Sequence, residues 1–429
     1  MTFISIADAI KKGHGEVKIR GWVYRERKSN KMAFIVVRDS SNIIQCVIDR
    51  DKVAENVWKD ADKILIESSV EIEGEIHEDK RAPTGYEVKV KNMKVVHFAD
   101  VFPINKDQST EFLLDKRHLW IRSRKLTSVM KIRSTVFGAI DEFYRARGFY
   151  EFAPPVLTPA ACEGGSTLFE VKYFDDTAYL TQSWQLYAEA AIFSLEKIYC
   201  NSPCFRAEKS KTSRHLAEFY MSEMEIAWGH LDDVIKYGEE LVEFIVKKVI
   251  EQNTDDLKIL GRDIQKLEKI KAPFHRMTYT EALEYLKKKG MHAPWGKDLR
   301  TNEEDELTKD LDKPLIVTHY PKEIMAFYKP ADPKDPKVAL NFDMLAPESY
   351  GEIIGGSERS TDIEDMISGL KKQGDNPENY DWYFDSRRYG SVPHSGYGLG
   401  VERVVSWLCG LDNIKDAIPF PRTMLRKNP

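Results

Sequence analysis

The chain is 429 residues long, 42% apolar and 31% charged, with a formal net charge of −5 at pH 7. That length exceeds what a single core serves and points to two or three domains, and the composition excludes a globally disordered chain. The net charge singles out no nucleic-acid partner, but it is an average, and local basic patches decide phosphate contacts. No apolar run approaches the roughly 20 residues that span a bilayer. The N-terminus shows neither the sustained apolar stretch nor the small-residue cleavage site of a signal peptide. The cysteines, at positions 46, 162, 200, 204 and 409, are odd in number and form no CxxC pair. Reduced, buried thiols and a cytoplasmic place of work are therefore expected.

In chain order, residues 1–100 read as short strands. Apolar and polar residues alternate over 16–24, 34–39, 43–48, 69–76 and 86–91, with a helical stretch near 53–63. Five strands with a helix between the third and fourth predict a small closed barrel of the OB type. Periodicity then lapses over 101–125, as in a linker, in a stretch that carries Pro103 and the basic residues Lys116, Arg117, His118, Arg122, Arg124 and Lys125. From 126 to 429 long helices alternate with strands. Ile132, Val136, Ile140, Phe143 and Tyr144 have helical spacing before Gly148, and Val234, Leu241, Phe244, Ile245 and Val249 repeat it. A polar, lysine-rich stretch near 253–312 is expected to be an inserted helical piece. The predicted class is α+β.

Three stretches of this larger region carry chemistry. RGFYEFAPPVL (147–157) ends a helix at Gly148 and then offers a strand broken by consecutive prolines, suited to a sheet edge where a missing N–H is harmless. FRAEKSKTSRHLAEFYMSEME (205–225) predicts two antiparallel strands around a basic loop holding Lys209, Lys211, Arg214 and His215. Period 2 puts Arg206 and Glu208 on one face of the first strand, and Phe219, Met221, Glu223 and Glu225 on one face of the second. Guanidinium forks suit polyphosphate, and a flat ring suits a purine. SGYGLGVERVVSWL (395–408) alternates Gly396, Gly398 and Gly400 with Tyr397, Leu399 and Val401, which predicts a strand with one bare face and one apolar face, leading into a helix at Arg403. A dinucleotide fingerprint would instead place its glycines in a turn.

In this order, the three stretches resemble motifs 1, 2 and 3 of the class II aminoacyl-tRNA synthetases, and with the N-terminal barrel they resemble the aspartate/asparagine/lysine subgroup. The class I signatures HIGH and KMSKS are absent. The resemblance implies an antiparallel catalytic sheet, ATP as substrate, Mg²⁺ as cofactor, tRNA as partner, and a homodimer formed through motif 1. It gives Arg206 the ATP α-phosphate and the amino-acid carboxylate, and Phe219 and Arg403 the two faces of adenine. Glu208 would lie near the adenine or ribose, Arg214 and His215 at the distal phosphates, with Leu216 and Gly400 completing the nucleotide site. Glu352, in YGEIIGGSER (350–359), matches an acidic magnesium ligand. Gly355 stands where the Asp/Asn branch often has a serine, so Glu352 is the one side-chain metal ligand expected. Arg206, Glu352 and Arg403 are thus the catalytic set, and positioning with charge neutralisation carries the rate.

The substrate expected is asparagine, delivered to tRNA(Asn). Glu163, in EGGS (163–166), resembles the glutamate that grips the substrate ammonium, with Ser183 and Gln185 of QSWQLYAE (182–189) beside it. Aspartyl enzymes usually read QSPQLYK there, and their lysine meets the substrate carboxylate; this chain has Ala188. They also carry Asp where this chain has Glu223, which together with Arg359 would offer an acceptor and a donor to a carboxamide. Two carboxylates about 4 Å apart repel by roughly 4 kcal/mol at an effective dielectric near 20, which disfavours aspartate. FPRT (420–423), where aspartyl enzymes tend to read FPRD, points the same way. In the barrel, Phe34 would stack on the middle anticodon uracil and Gln45 would bond its edge, with Arg25, Arg27, Lys28 and Lys31 near phosphates. An aspartyl enzyme of relaxed tRNA choice, a tRNA-independent asparagine synthetase on the same catalytic fold, and a non-catalytic OB-type nucleic-acid binder are the alternatives; Phe34 with Gln45 argues against the second, and Arg206, Glu352 and Arg403 against the third.

Overall fold

The computed structural model describes residues 2–159, 161–162, 167–209, 212 and 214–429. The chain divides into two compact units, Met1–Leu119 and Trp120–Pro429.

The first unit is a closed barrel of β1 (Gly15–Lys28), β2 (Met32–Arg38), β3 (Ile43–Asp49), β4 (Ser69–Glu78) and β5 (Tyr86–His97), in the order β1-β2-β3-β5-β4. The helix Glu55–Lys63 lies between β3 and β4 in the chain, as the alternation predicts. Val17, Ile19, Val23, Ile35, Val37, Ile44, Cys46, Ile48, Ile72 and Val88 fill the interior. The strands come close at Gly21 and Gly74, where a Cβ would sit 2.1 Å from the Arg38 carbonyl oxygen and 2.2 Å from that of Lys89. Only glycine permits such an approach.

A β-bulge interrupts β1 between Val23 and Arg25. Up to Val23 the odd-numbered residues point inward. Continued without a break, that parity would aim Arg25 and Arg27 into the apolar interior. The extra residue, Tyr24, reverses it. Arg25 then pairs with Val36 and Arg27 with Phe34, and both arginines are exposed.

The stretch expected as a linker is not structureless. It carries the short helices Thr110–Asp115 and Arg117–Trp120, the first capped by Ser109, whose hydroxyl accepts from the Phe112 N–H at 3.2 Å. Pieces this short show no readable periodicity, which is why the sequence looks aperiodic there.

The second unit is built on an eight-stranded sheet. Its strands are β6 (Tyr150–Glu151), β10 (Lys197–Phe205), β11 (Glu218–Ala227), β12 (His275–Thr278), β13 (Leu315–Thr318), β14 (Asn341–Ala346), β15 (Gly351–Glu358) and β16 (His394–Gly400), in the order β12-β13-β14-β15-β16-β11-β10-β6. A small separate sheet holds β7 (Leu157–Thr158), β8 (Glu170–Tyr173) and β9 (Asp176–Leu180). Strands β10 through β11, β16, β15 and β14 to β13 run antiparallel, and the outermost pairs β6–β10 and β12–β13 are parallel. β6 and β12 are the two edges of the sheet, and Pro154 and Pro155 lie beyond the end of β6 rather than within it.

One face of this sheet buries Tyr199, Met224, Ile226, Phe342, Met344, Ile354, Tyr397 and Leu399. The helices Arg124–Arg145, Leu231–Leu260 and Val401–Cys409 cover it with Ile132, Val136, Phe143, Val234, Leu241, Val405 and Trp407. The Tyr144 and Tyr397 hydroxyls meet at 2.9 Å inside this core. Alternation leaves the other face for polar work.

Residues 253–312 are not wholly helical, contrary to expectation. After Leu260 come the helix Ile264–Glu268, the strand β12 and the helices Tyr279–Lys288 and Thr301–Thr308. A four-residue strand flanked by polar helices gives no period-2 signal of its own. Among the described residues no helix is long and apolar enough to cross a membrane. All five cysteines are buried free thiols.

Phe143 is fully buried and touches the rings of Tyr144 and Phe244. Phe143→Ala is expected to destabilise the second unit by about 3–5 kcal/mol, read as a lower midpoint in denaturant titration.

Candidate active site

The polar face of the sheet forms a cleft over β11, β16 and β15. Register places Met221 opposite Gly400, Glu223 opposite Gly398, and Glu225 opposite Gly396. On the far side Gly398 faces Gly355. Phe219, Met221, Glu223 and Glu225 therefore share one face, as period 2 predicts. Arg206 and Glu208 depart from the prediction: β10 ends at Phe205, and both residues lie in irregular backbone where the Arg206 N–H donates to the Ala217 carbonyl at 3.0 Å. Lys211, from the same loop, lies outside the described residues.

The bare face of β16 serves neighbouring side chains more than a ligand. A Cβ on Gly396 would stand 2.0 Å from Oε2 of Glu225, and one on Gly398 2.5 Å from Cε of Met221 and 3.5 Å from Oε1 of Glu223. The glycines make room for the acids of the adjacent strand. Gly400 is different, for only the Arg403 side chain approaches it, at 3.5 Å.

The cleft has two chambers that share Arg206, Met221, Glu352 and Gly398. The first encloses about 620 Å³ and is lined by Arg206, Glu208, Arg214, His215, Leu216, Phe219, Glu352, Gly400 and Arg403, the whole set expected around a nucleotide. Arg403 donates from Nη1 to the Glu352 carboxylate at 3.0 Å and to its carbonyl at 2.9 Å. Arg214 donates from Nη2 to Asp305 at 2.7 Å and to the Ser349 carbonyl at 2.6 Å. The Arg206 guanidinium lies 5.5 Å from the Phe219 ring centroid. His215 contacts Thr212 through Nδ1 and lies 3.6 Å from Glu208 through Nε2. Burial, reinforced by Arg403 and Arg206 against Glu208, lowers the His215 imidazole, so it offers a hydrogen bond rather than a charge.

The second chamber, of about 940 Å³, is lined by Ser183, Gln185, Arg206, Glu223 and Arg359 from the expected amino-acid set. Glu163 lies outside the described residues. Glu223 accepts from the Ser183 hydroxyl through Oε1 and from the Trp184 N–H at 3.0 Å through Oε2. Arg359 binds Glu225 in a fork, with Nε and Nη2 each at 2.9 Å, and gives Nη1 to Ser357 at 2.8 Å. Three of the five guanidinium N–H groups are thereby used, and the plane of the fork is fixed. Ala188 departs from expectation. It is fully buried in a cluster of Trp184, Ile192, Ile198 and Cys200 and is not among the residues that line the chamber, so the argument from a missing cation at Ala188 loses its geometric support. The Glu223 half of the argument stands, since that carboxylate lines the chamber.

Acids gather where the chambers meet. Over Gly355 two carboxylates converge: a Cβ there would be 2.8 Å from Oε1 of Glu352 and 3.5 Å from Oδ1 of Asp343. Burial and then the charge of Glu352 push Glu304 up to about 7, and the same causes raise Asp298 and Asp343. Acids that raise one another in this way define a place that favours a cation. Among the described residues no three His, Cys, Asp or Glu side chains are grouped to enclose a metal. Two carboxylates over an open glycine fit magnesium, which keeps several waters and takes the rest of its shell from phosphate.

On the barrel, β2 and β3 pair Val36 with Gln45 and Phe34 with Val47, so Phe34 and Gln45 are diagonal neighbours on the outer face. Arg27 stacks over Phe34, with its guanidinium carbon 4.9 Å from the ring centroid. Gln45 donates from Nε2 to Glu87 at 2.9 Å. A half-buried ring with a guanidinium over it and an amide beside it is the kind of surface that takes an unstacked base.

Comparison with known proteins agrees with both halves. The family described as tRNA synthetases class II (D, K and N) matches residues 109–424, and the OB-fold nucleic acid binding domain matches 17–96. The chain belongs to the class II aminoacyl-tRNA synthetases of this group. It is 47% identical over 428 residues to the asparagine–tRNA ligase of Thermoplasma acidophilum, covering 99% of this chain and 100% of that one. It is 49% identical to the asparagine–tRNA ligase of Thermococcus gammatolerans, covering 96% of each. The crystal structure of asparaginyl-tRNA synthetase from Pyrococcus horikoshii complexed with asparaginyl-adenylate is similar at a TM-score of 0.96, with 44% identity and 100% of both chains covered.

The synthetase cleft also holds residues that sequence reasoning missed. Asp343, Asp298, Tyr328 and Lys329 line the second chamber, and Glu304 stands beside the first through Arg214, at 3.9 Å. Asp343 is paired with Gly355 across β14 and β15, a register that the order of residues does not reveal. Asp298 and Glu304 come from the stretch read as a bland insertion.

Gly398 borders both chambers of the synthetase. Gly398→Ala pushes a methyl group against the movable end of Met221 and toward Glu223. The expected result is an increase of about tenfold in the amino-acid KM, with a shift in stability below about 1.5 kcal/mol, measured by pyrophosphate exchange and thermal melting.

Proposed function

We propose that this synthetase is an asparagine–tRNA ligase, which joins asparagine to ATP as asparaginyl-adenylate and passes it to tRNA(Asn). The observation that carries this reading is the pair of fixed groups in the amino-acid chamber. Glu223, held by Ser183 and Trp184, is an acceptor; Arg359, held by Glu225, is a donor. A carboxamide satisfies both, with NH₂ toward Glu223 and C=O toward Arg359. An aspartate side chain would set a second carboxylate against Glu223, at a cost of roughly 4 kcal/mol for a 4 Å separation at an effective dielectric of 20. The relatives named asparagine–tRNA ligase support the same substrate.

In the first step the asparagine carboxylate attacks the α-phosphorus of ATP, and pyrophosphate leaves. No protein nucleophile is needed. Arg206 borders both chambers and neutralises the α-phosphate and the incoming carboxylate together. Phe219 and Arg403 hold the adenine, Glu208 the adenine or ribose edge, and Arg214 with neutral His215 the distal phosphates. Leu216 and Gly400 close the chamber around the nucleotide. Ser183 and Gln185, with Glu163, orient the amino acid. Fixed charges of this kind stabilise the transition state because they need not reorganise. Glu352 and Asp343 would hold Mg²⁺, which when bound supplies Lewis-acid polarisation of the phosphate oxygens. In the second step the terminal ribose hydroxyl of the tRNA attacks the adenylate carbonyl carbon and AMP leaves.

Phe34 and Gln45 read the middle uracil of the anticodon, and Arg25 and Arg27 hold the neighbouring phosphates. The domain reading is an anticodon-binding barrel at 1–100, a hinge at 101–125 and a catalytic domain at 126–429. A homodimer, formed along the open β6 edge where Tyr150 is 59% exposed, is the proposed assembly. The cytoplasm, where tRNA is charged and thiols stay reduced, is the proposed place.

Amino-acid-dependent ATP–pyrophosphate exchange tests the substrate. Asparagine should drive exchange far faster than aspartate or lysine, and faster exchange with aspartate would overturn the assignment. Glu223→Gln removes a charge-assisted hydrogen bond of about 1.5–3 kcal/mol, so kcat/KM for asparagine should fall roughly 10- to 150-fold. Phe34→Ala should raise the tRNA KM in aminoacylation by roughly 5- to 150-fold, from a stacking loss of about 1–3 kcal/mol. Exchange without tRNA should stay intact, and an equal loss in both assays would remove Phe34 from anticodon reading.

A further inference from the structure

We propose that Glu189 is a positioning residue for the substrate: it fixes the Gln185 side-chain amide so that the carbonyl oxygen, not the NH₂, faces the amino acid's ammonium. The proposal rests on the reading that this chamber takes an amino acid. Gln185 and Glu189 stand one turn apart on the helix Gln185–Leu195, the spacing at which side chains meet. Nε2 of Gln185 donates to Oε1 of Glu189 at 2.8 Å. An ionised carboxylate only accepts, so the amide can dock on it by its NH₂ end alone. The carbonyl oxygen is then turned away from Glu189, on a residue that lines the chamber.

Glu189 itself cannot yield. Its second oxygen accepts from the Tyr383 hydroxyl at 2.7 Å, from His394 Nε2 at 3.0 Å and from Arg387 Nη2. Arg387 is in turn anchored by Nε on the Ser360 carbonyl at 3.0 Å. Glu189 is completely buried, and Arg387 and His394 are nearly so. Burial alone would raise the Glu189 carboxyl, but Arg387, His394 and Arg359 outweigh it and keep it ionised. At its other end Gln185 donates its backbone N–H to the Ser183 hydroxyl at 3.2 Å, and that hydroxyl donates to Glu223. One continuous chain of bonds thus sets both the ammonium acceptor and the carboxamide acceptor.

A glutamine amide without such an anchor turns over freely and would present two N–H donors to a cation for part of the time. The test is a double-mutant cycle read by pyrophosphate exchange. Glu189→Gln, whose own amide can meet Gln185 by either end, should raise the asparagine KM about tenfold while the ATP KM moves less than about twofold. Gln185→Ala should raise the asparagine KM by a similar factor. If Glu189 acts through Gln185, the double variant is no worse than Gln185→Ala alone. An unchanged asparagine KM in Glu189→Gln, or effects that multiply fully in the double variant, would overturn the proposal. Should Glu189→Gln fail to fold by circular dichroism, Glu189→Asp takes its place in the same comparison, because it keeps the negative charge on Arg387 and withdraws from Gln185. Absence of asparagine-driven exchange in the unaltered enzyme would sink the functional reading instead. Multiplying effects in an enzyme that does activate asparagine would sink only the positioning role.

Discussion

The site depends on one close approach: the Glu225 carboxylate occupies the space where Gly396 has no side chain, and there it binds Arg359 in a fork. A buried ion pair is tolerable only when its geometry is excellent and its remaining donors are satisfied. The fork meets the first condition, and Ser357 goes part of the way to the second by taking a further guanidinium N–H. The pair is made by two strands that both lie beside β16, with Glu225 on β11 and Arg359 just past the end of β15. The glycine strand is therefore less a bed for nucleotide than a slot that lets its neighbours' charged side chains meet.

The same sheet sets charges of both signs in each chamber. Arg206, Arg214 and Arg403 face Glu208 and Glu402 in the first, and Arg206, Lys329 and Arg359 face Glu223, Glu225, Asp298 and Asp343 in the second. The sets meet at Glu352, which belongs to both chambers and is bonded to Arg403. Two of the cations in the first chamber, Arg214 on Asp305 and Arg403 on Glu352, are held by protein acceptors before any phosphate arrives. Preorganisation of this kind is what allows a site without a nucleophile to accelerate a displacement.

Much of this was legible in the sequence. The barrel followed from five alternating runs, and the hairpin face of Phe219, Met221, Glu223 and Glu225 from period 2 alone. The residues expected around a nucleotide line one chamber together. Three features were not legible, each for a physical reason. Arg206 and Glu208 continue the alternation of β10 although the strand has already ended, because hydrogen bonding and not residue type terminates it. Asp343 reaches Glu352 only through strand pairing, which depends on register. Ala188 packs among Trp184, Ile192, Ile198 and Cys200 instead of lining the chamber, which tertiary packing and not residue type decides. Glu189 was visible as a letter, but its role needed Tyr383, Arg387 and His394, which lie roughly 200 positions away.

The bulge at Tyr24 divides β1 into two segments with separate duties. Residues Gly15 to Trp22 pair with β4 and close the barrel, whereas Arg25 to Lys28 pair with β2 beside Phe34. Because side-chain phase resets between the segments, exchanging Arg25 or Arg27 alters neither the closing seam nor the packed interior. The outer segment can therefore accept other side chains while the scaffold that presents it stays untouched. A single added residue supplies that modularity.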